Sequence, residues 1–508
     1  MAIELPVFEV KDIVGVVGAG TMGMSIAEVA AAAGHPVLLY DAKEGAASAA
    51  LEQASMRMDR RVTRGRISSD ERDAILARIT VMYSLRDLEP CRLVIEAVVE
   101  NLAIKQGLFQ SLERLCGDSA ILASNTSSLS ITAIGAALKN PERLLGLHFF
   151  NPATVMRLVE VVSGLRTAPE VAASLHGLMN AWGKSPVFAR SQPGFIVNRV
   201  ARPFYAEALN LLQEGAAGVE TMDAIYRDCG GFPMGPFELM DLIGLDVNFA
   251  VTSSVFESYF GDSRYRPSVL QKEMVDAGRM GRKSGEGFYL YASERKPPSA
   301  RQMAPKPAPL SVRVVGDLGP ASALLDLARE SGLDMRQAEG SGYLVVDGVY
   351  LALSDGRSAT TRAAEEGQSP LVLFDLALDY RKTPRIALTT VNGQADALAR
   401  AAGFFQALGK SVSEVADLPG MLVMRSVCLL VNEAAMAVAH QLCSAVDLDT
   451  AMKLGVNYPL GPLEWGERID LQRVANVVRN IHAAYGDDRY RLTPLLAGHA
   501  LAGRKFTE

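Results

Sequence analysis

DIVGVVGAGTMGMSIAEVAAAAGHPVLLYD, residues 12–41, decides how the rest of the chain is read. An apolar run, Val14 to Val17, meets the turn Gly18-Ala-Gly20-Thr-Met-Gly23; an Ala-rich stretch of helical character follows, and a second apolar run ends in Asp41. Strand, glycine turn, helix and strand in that order predict a doubly wound α/β unit with a parallel sheet. A lone GxGxxG says little, but this one has a strand before it, a helix after it and an acid about twenty residues on. Gly18 permits the tight turn, Gly20 lets the main chain approach a pyrophosphate, and Gly23 lets the helix close onto the strand. The helix start at Thr21 and Met22 offers amides and a dipole to phosphates. Asp41 is placed to accept from a ribose 2′-OH and to repel a 2′-phosphate, which favours NAD over NADP. The expectation is a Rossmann-type NAD-binding domain over residues 1–190; a glycine turn in an unrelated α/β fold is the alternative.

Composition sets outer limits. A chain of 508 residues exceeds the capacity of one core, so two to four domains are expected. A net charge of −6 argues against a nucleic-acid partner. No run of about 18 apolar residues appears, and MAIELPVFEVKD at the amino terminus lacks a basic then apolar leader pattern, so no membrane span and a cytoplasmic location are expected. Cys91, Cys116, Cys229, Cys428 and Cys443 are odd in number and without CxxC spacing. They read as reduced structural thiols, with no metal site.

Further along, Arg57, Arg60, Arg61, Arg64 and Arg66 crowd one helical stretch, either as a basic rim for an anionic ligand or as a solvated face. RLVIEAVVEN (92–101) is an apolar strand running to Glu100, with Lys105 on the next helix; strand ends of this kind line the cofactor crevice. ILASNTSSLSI (121–131) adds a strand and a hydroxyl cluster, which alone is often only a helix cap. LLGLHFFNPATVMRLVEVV (144–162) reads as two half-buried strands, each carrying one ionisable residue, His148 and Glu160. A His titrates near neutrality, and a carboxylate beside it would fix its tautomer. A core His bonded to main chain is the plainer reading of His148 taken alone.

Seven stretches in order, VGAGTMG, IEAVVEN, ASNTSSL, GLHFFNP, LVEVV, QPGFIVNR and GFPMGPFELMDLIGLD, make the first half resemble the L-3-hydroxyacyl-CoA dehydrogenases. The resemblance implies His148 as catalytic base with Glu160 as its partner, Ser127 and Asn198 as hydrogen-bonding groups on the substrate side, and Asp41, Glu100 and Lys105 on the cofactor side. It implies NAD as cofactor and an acyl-CoA thioester as substrate. Chains of this length without a hydratase domain resemble the bacterial long-form enzymes of phenylacetate catabolism, acting on 3-hydroxybutyryl- or 3-hydroxyadipyl-CoA. A dehydrogenase of free hydroxy acids or sugar acids on the same fold, and a non-catalytic nucleotide-binding protein, are the other readings.

From Gln192 the pattern turns helical, predicting an all-α substrate and dimerisation domain over 191–291. Five prolines in 292–310 predict an extended linker. The chain then repeats itself: Pro193-Gly194 recurs 226 positions on as Pro419-Gly420, Arg199 as Arg425, Glu207 as Glu433, and Asp223 as Asp449. GDSRYR (261–266) returns as GDDRYR (486–491), so 413–508 is read as a second helical domain. Between them, 311–412 reads as a degenerate, shortened Rossmann echo: VRVVGDLG keeps a broken glycine turn, LVLFDLALD is matched to LVIEAVVE, and IALTTVN to LGLHFFN. On that matching Thr389 takes the place of His148, the LVEVV strand is deleted, Met424 replaces Asn198, and no orienting carboxylate remains. The two helical domains are expected to pack as an internal pseudo-dimer. Whether whole chains form a homodimer is left open.

Overall fold

The computed structural model describes residues 8–291 and 298–507. The start of the amino-terminal stretch and residues 292–297 of the proline-rich linker lie outside them. The chain divides into two compact units, residues 1–199 with 440–456 and residues 200–439 with 457–508.

The first unit is built on eight strands: β1 Val14–Val17, β2 Val37–Tyr40, β3 Ile79–Met82, β4 Leu93–Glu96, β5 Ile121–Ser124, β6 Leu144–Phe149, β7 Leu158–Ser163 and β8 Ser185–Arg190. Their spatial order is β3-β2-β1-β4-β5-β6-β7-β8. All pairs are parallel except β6 with β7. Strand order reverses at β1, which puts the glycine turn at the topological switch point, where ligands of such sheets bind. Val14, Val16, Leu93 and Ile95 are fully buried, as strands covered on both faces must be.

The second unit carries β9 Val312–Val315, β10 Met335–Ala338, β11 Tyr343–Val346, β12 Val349–Leu353, β13 Leu371–Phe374, β14 Arg385–Thr390 and β15 Ser411–Glu414, in the order β10-β9-β11-β12-β13-β14-β15. The described part of the linker is extended but not loose: Met303 N donates to Val412 O, beside β15, and Ser413 Oγ to Arg301 O.

Strand direction corrects the reading of the second copy. β13 runs antiparallel to β14, and β14 parallel to β15, as β6 does to β7 and β7 to β8. LVLFDL therefore matches LLGLHF, and RIALTT matches LVEVVS. Glu160 pairs with Val187 in the first sheet and Ala387 with Ser413 in the second, Val187 and Ser413 lying 226 positions apart. Asp375, whose amide donates to Ala387 O, thus stands where His148 stands, and Ala387 stands where Glu160 stands. Thr389 is not the counterpart of His148, and the LVEVV strand is present as β14. Apolar runs of equal length are interchangeable on paper; hydrogen-bond direction is not.

A carboxylate survives as well. Asp375 is fully buried and accepts from the amides of Leu422 (3.0 Å), Val423 (2.8 Å) and Met424 (2.9 Å), which start the helix Val423–Ala439. Lys184 donates to the carbonyls of Ala153 and Met156 in the β6–β7 connection; Lys410 does the same to Tyr380 and Thr383 between β13 and β14. The repeat has kept its scaffold and lost its imidazole.

The helical segments exchange places between the units. Helix Ala445–Gly455, from the second copy, packs on β7 and β8 in the first unit. Its counterpart Val219–Asp228, from the first copy, packs on β14 in the second, where Arg385 Nε donates to Asp228 at 2.8 Å. Within the second unit, helix Arg202–Gln213 packs against Val423–Ala439, and the fully buried Arg425 donates to Glu207 at 2.7 Å. No single helix among the described residues is long and apolar enough to cross a membrane. The five cysteines are free thiols, four of them buried.

Candidate active site

The glycine turn behaves as its spacing requires. Gly18 has φ +98°, and a Cβ there would press on the Ala97 carbonyl. A Cβ on Gly23 would overlap the Gly18 carbonyl oxygen, so helix Thr21–Ala32 can close on β1 only with glycine there. A Cβ on Gly20 would meet nothing; it would project into a cleft of about 560 Å³ lined by Ala19, Gly20, Thr21, Pro152 and Thr154 and reaching Arg57 and Arg61 on helix Ala46–Thr63. Thr21 and Met22 open the helix behind the turn. Asp41, just past β2, accepts from the amides of Ala19 (2.7 Å) and Lys43 (2.8 Å), which ties it to the turn. A bare glycine, helix-start amides and an adjacent carboxylate at one cleft fit a dinucleotide.

Across β6 and β7, His148 and Glu160 are directly paired residues, and His148 Nδ1 lies 2.5 Å from Glu160 Oε2. Both are buried, the carboxylate completely. Glu160 Oε1 accepts from the amides of Ile196 (2.9 Å) and Val197 (3.0 Å). Those amides are aimed by Phe195, a bulky residue held at φ +45° after Gly194, whose ring meets the His148 ring edge-on at 5.8 Å. The bond to Glu160 assigns the imidazole proton to Nδ1 and leaves Nε2 as a lone pair without a partner among the described residues. Asn198 follows directly, and its side-chain amide bonds nothing among the described residues.

Glu100 organises the hydroxyl cluster. It accepts from Thr126 Oγ1 at 2.5 Å, from the amides of Ser127 and Ser128 at 3.1 Å each, and from Ser128 Oγ at 2.9 Å. These bonds and Lys105 hold its carboxyl below the usual range against the opposing effect of burial. The Ser127 hydroxyl itself bonds nothing among the described residues. Lys105 is buried, with Nζ 2.6 Å from Glu96 and 3.2 Å from Glu100, so it reaches the cleft only through carboxylates. Two contributors escaped sequence reading. Glu96 anchors Lys105 and takes the Ser124 hydroxyl at 2.7 Å, and its signal was an acid inside the apolar run LVIEAVV. Asn125 accepts from Phe149 N at 2.9 Å, joining the hydroxyl loop to the strand of His148, and no pattern in the sequence announces it.

Residues 13–192 match the 3-hydroxyacyl-CoA dehydrogenase NAD-binding domain, and residues 194–291 and 420–507 both match the C-terminal domain of the same family. The chain belongs to the 3-hydroxyacyl-CoA dehydrogenases. Residues 351–419 match the reduced Rossmann-fold domain of 3-hydroxybutyryl-CoA dehydrogenase. Among curated relatives, the chain is 44% identical to a 3-hydroxyadipyl-CoA dehydrogenase of Escherichia coli, over 96% of this chain and 97% of that one. It is 42% identical to a probable 3-hydroxybutyryl-CoA dehydrogenase of Bacillus subtilis, which covers 56% of this chain and 98% of its own length. A crystal structure of 3-hydroxybutyryl-CoA dehydrogenase from Escherichia coli K12 superposes with a TM-score of 0.89 over 97% of this chain, at 42% identity. Like its family, this dehydrogenase uses NAD to oxidise a 3-hydroxyacyl-CoA.

Proposed function

We propose that the dehydrogenase acts on 3-hydroxyadipyl-CoA or 3-hydroxybutyryl-CoA, with His148 as the base and Glu160 as its partner. The observation that carries the mechanism is the buried 2.5 Å bond between them, which leaves Nε2 as the only ring nitrogen free to take a proton. His148 removes the 3-hydroxyl proton, Glu160 stabilises the resulting imidazolium, and the proton returns to the oxygen when the ketone is reduced. Bound NAD supplies the hydride acceptor. Ser127 and Asn198, whose polar ends bond nothing among the described residues, hold the substrate oxygens. Gly18, Gly20, Thr21, Met22 and Gly23 cradle the cofactor phosphates, Asp41 takes the ribose, and Glu100 with Lys105 shapes the wall beside them. Arg57 and Arg61, at the far end of the same cleft, are the basic rim for a nucleotide phosphate.

The choice of acyl chain rests on the relative named for 3-hydroxyadipyl-CoA, which is matched over nearly its whole length. Purified protein should oxidise NADH with acetoacetyl-CoA and, with NAD, turn over 3-hydroxyadipyl-CoA at a higher kcat/KM than 3-hydroxybutyryl-CoA. Turnover of free hydroxy acids and none of these thioesters would refute the reading. A dicarboxylic preference would suit a cytoplasmic enzyme of aromatic-acid degradation such as phenylacetate catabolism.

We also propose the division into 1–190, 191–291, 292–310, 311–412 and 413–508, the second helical segment serving the first as an internal partner. The support is the buried Arg425–Glu207 pair between helices 226 positions apart in origin. Truncation after Tyr291 uncovers the face of helix Arg202–Gln213, so residues 1–291 are expected to elute as dimer or aggregate in size-exclusion chromatography. An active, stable monomer would sink the proposal.

A further inference from the structure

The bond to Glu160 constrains the His148 imidazole along one edge only. The Cβ–Cγ torsion of a histidine is intrinsically broad, and rocking about it displaces Nε2. Two aromatic rings take up that freedom. Phe150, half-buried just past the end of β6, brings its ring centroid to 4.5 Å from the imidazole at an interplanar angle of 51°. Phe195, from the turn that aims the amides at Glu160, meets the imidazole at 5.8 Å and 61°. Both separations lie in the range where tilted aromatic pairs attract one another. The two rings come from different segments of the chain, and all three residues belong to the first compact unit.

The second copy is an internal control for what these rings do. Its turn keeps the same backbone: Met421, 226 positions after Phe195, has φ +55°. The amides of Leu422 and Val423 that follow donate to Asp375 as those of Ile196 and Val197 donate to Glu160. Met421 is fully buried, so an apolar side chain without a ring satisfies the turn. With Asp375 in the place of His148, the residue in the place of Phe150 is Ala377, also buried. Strand pairing, positive-φ turn and amide cap all persist there without either ring. None of those features therefore requires an aromatic side chain. Where the imidazole is gone both rings are gone, and where it is kept both touch it.

We propose that Phe150 is a positioning residue for the base: with Phe195 it clamps the His148 imidazole in the plane that aims Nε2 at the substrate hydroxyl. The inference rests on the reading of His148 as base, and the test separates the two. Proton transfer requires Nε2 within hydrogen-bond reach of the hydroxyl, so a ring that rocks reacts more slowly without binding less. Phe150→Leu keeps the bulk and loses the ring. It should lower the single-turnover rate of NADH oxidation by acetoacetyl-CoA roughly threefold to tenfold, the weight of one aromatic pair, and leave both KM values within about twofold of wild type. Phe150→Tyr, which restores the ring, should recover the wild-type rate. In a His148→Gln background Phe150→Leu should cause no further loss, because the ring acts through the imidazole. His148→Gln with wild-type turnover would refute the base and this inference together. A slow His148→Gln beside a Phe150→Leu of unchanged rate overturns the role of Phe150 alone. So does a Leu variant that raises KM at unchanged rate, a Tyr variant as slow as the Leu variant, or an additive loss in the double variant. If Phe150→Leu does not fold, Phe150→Met, equally without a ring, answers the same question.

Discussion

Glu160→Gln is expected to lower kcat by roughly 10²- to 10⁴-fold while NADH binds as before. The substitution is nearly isosteric, and its carbonyl oxygen can still accept from the amides of Ile196 and Val197. What changes is the atom facing His148. An amide NH₂ toward Nδ1 cannot accept the Nδ1 proton, so the imidazole settles in the other tautomer, with Nε2 protonated and no longer a base. A merely structural Glu160 would predict a loss of thermal stability and a modest loss of turnover. The tautomer argument predicts a well-folded protein with little turnover. His148→Gln should match it in kcat, again with NADH binding intact by fluorescence titration. Loss of cofactor binding along with activity in either variant would count against catalysis and for a scaffold role.

In the second unit, Asp375→Ala should destabilise the protein by about 3–5 kcal/mol in urea unfolding. Three main-chain amides at the start of helix Val423–Ala439 lose their acceptor at once, in a place water does not reach. A loss under 1 kcal/mol would show that the cap is dispensable. Titration of the same group gives a second signature. Burial pushes Asp375 up to about 6 despite those three amides and that of Leu376, whereas an unfolded Asp titrates near 4. Between those values the native state holds the extra proton, so this group's contribution to stability falls as pH rises from about 4 to 6 and is level above. The lead of wild type over Asp375→Asn should therefore narrow across that window. A lead that widens with pH would contradict the assignment.

Asp375 also shows where sequence reading stopped. On sequence alone LVLFDLALD is matched to LVIEAVVE and IALTTVN to the strand of His148, since alternation and apolar content do not record which way a strand runs. Only the antiparallel step from β13 to β14 reveals that a carboxylate has replaced the imidazole, and that this carboxylate caps the helix one copy over from the helix capped by Glu160. Lys105 is a second case. The resemblance implies it on the cofactor side, and the fold buries it on helix Leu102–Leu115 with Nζ against Glu96, at the end of β4, and Glu100, a pairing that depends on how helix and strand pack.

The glycine turn, the His148–Glu160 pair and the duplicated helical segments were readable from the chain alone. Each depends on residues close in sequence or on a motif repeated in order: a missing Cβ at Gly18 and Gly23, two neighbouring strands with facing ionisable groups, Pro193-Gly194 and GDSRYR returning downstream as Pro419-Gly420 and GDDRYR. Tertiary structure alone decided that helix Ala445–Gly455 belongs with the first sheet, with Gly455 close against Leu158 and Val197, and that Arg202 is buried with no carboxylate against it among the described residues. Those outcomes depend on which surfaces are desolvated together, and burial is a property of the packed molecule that no local stretch of sequence carries.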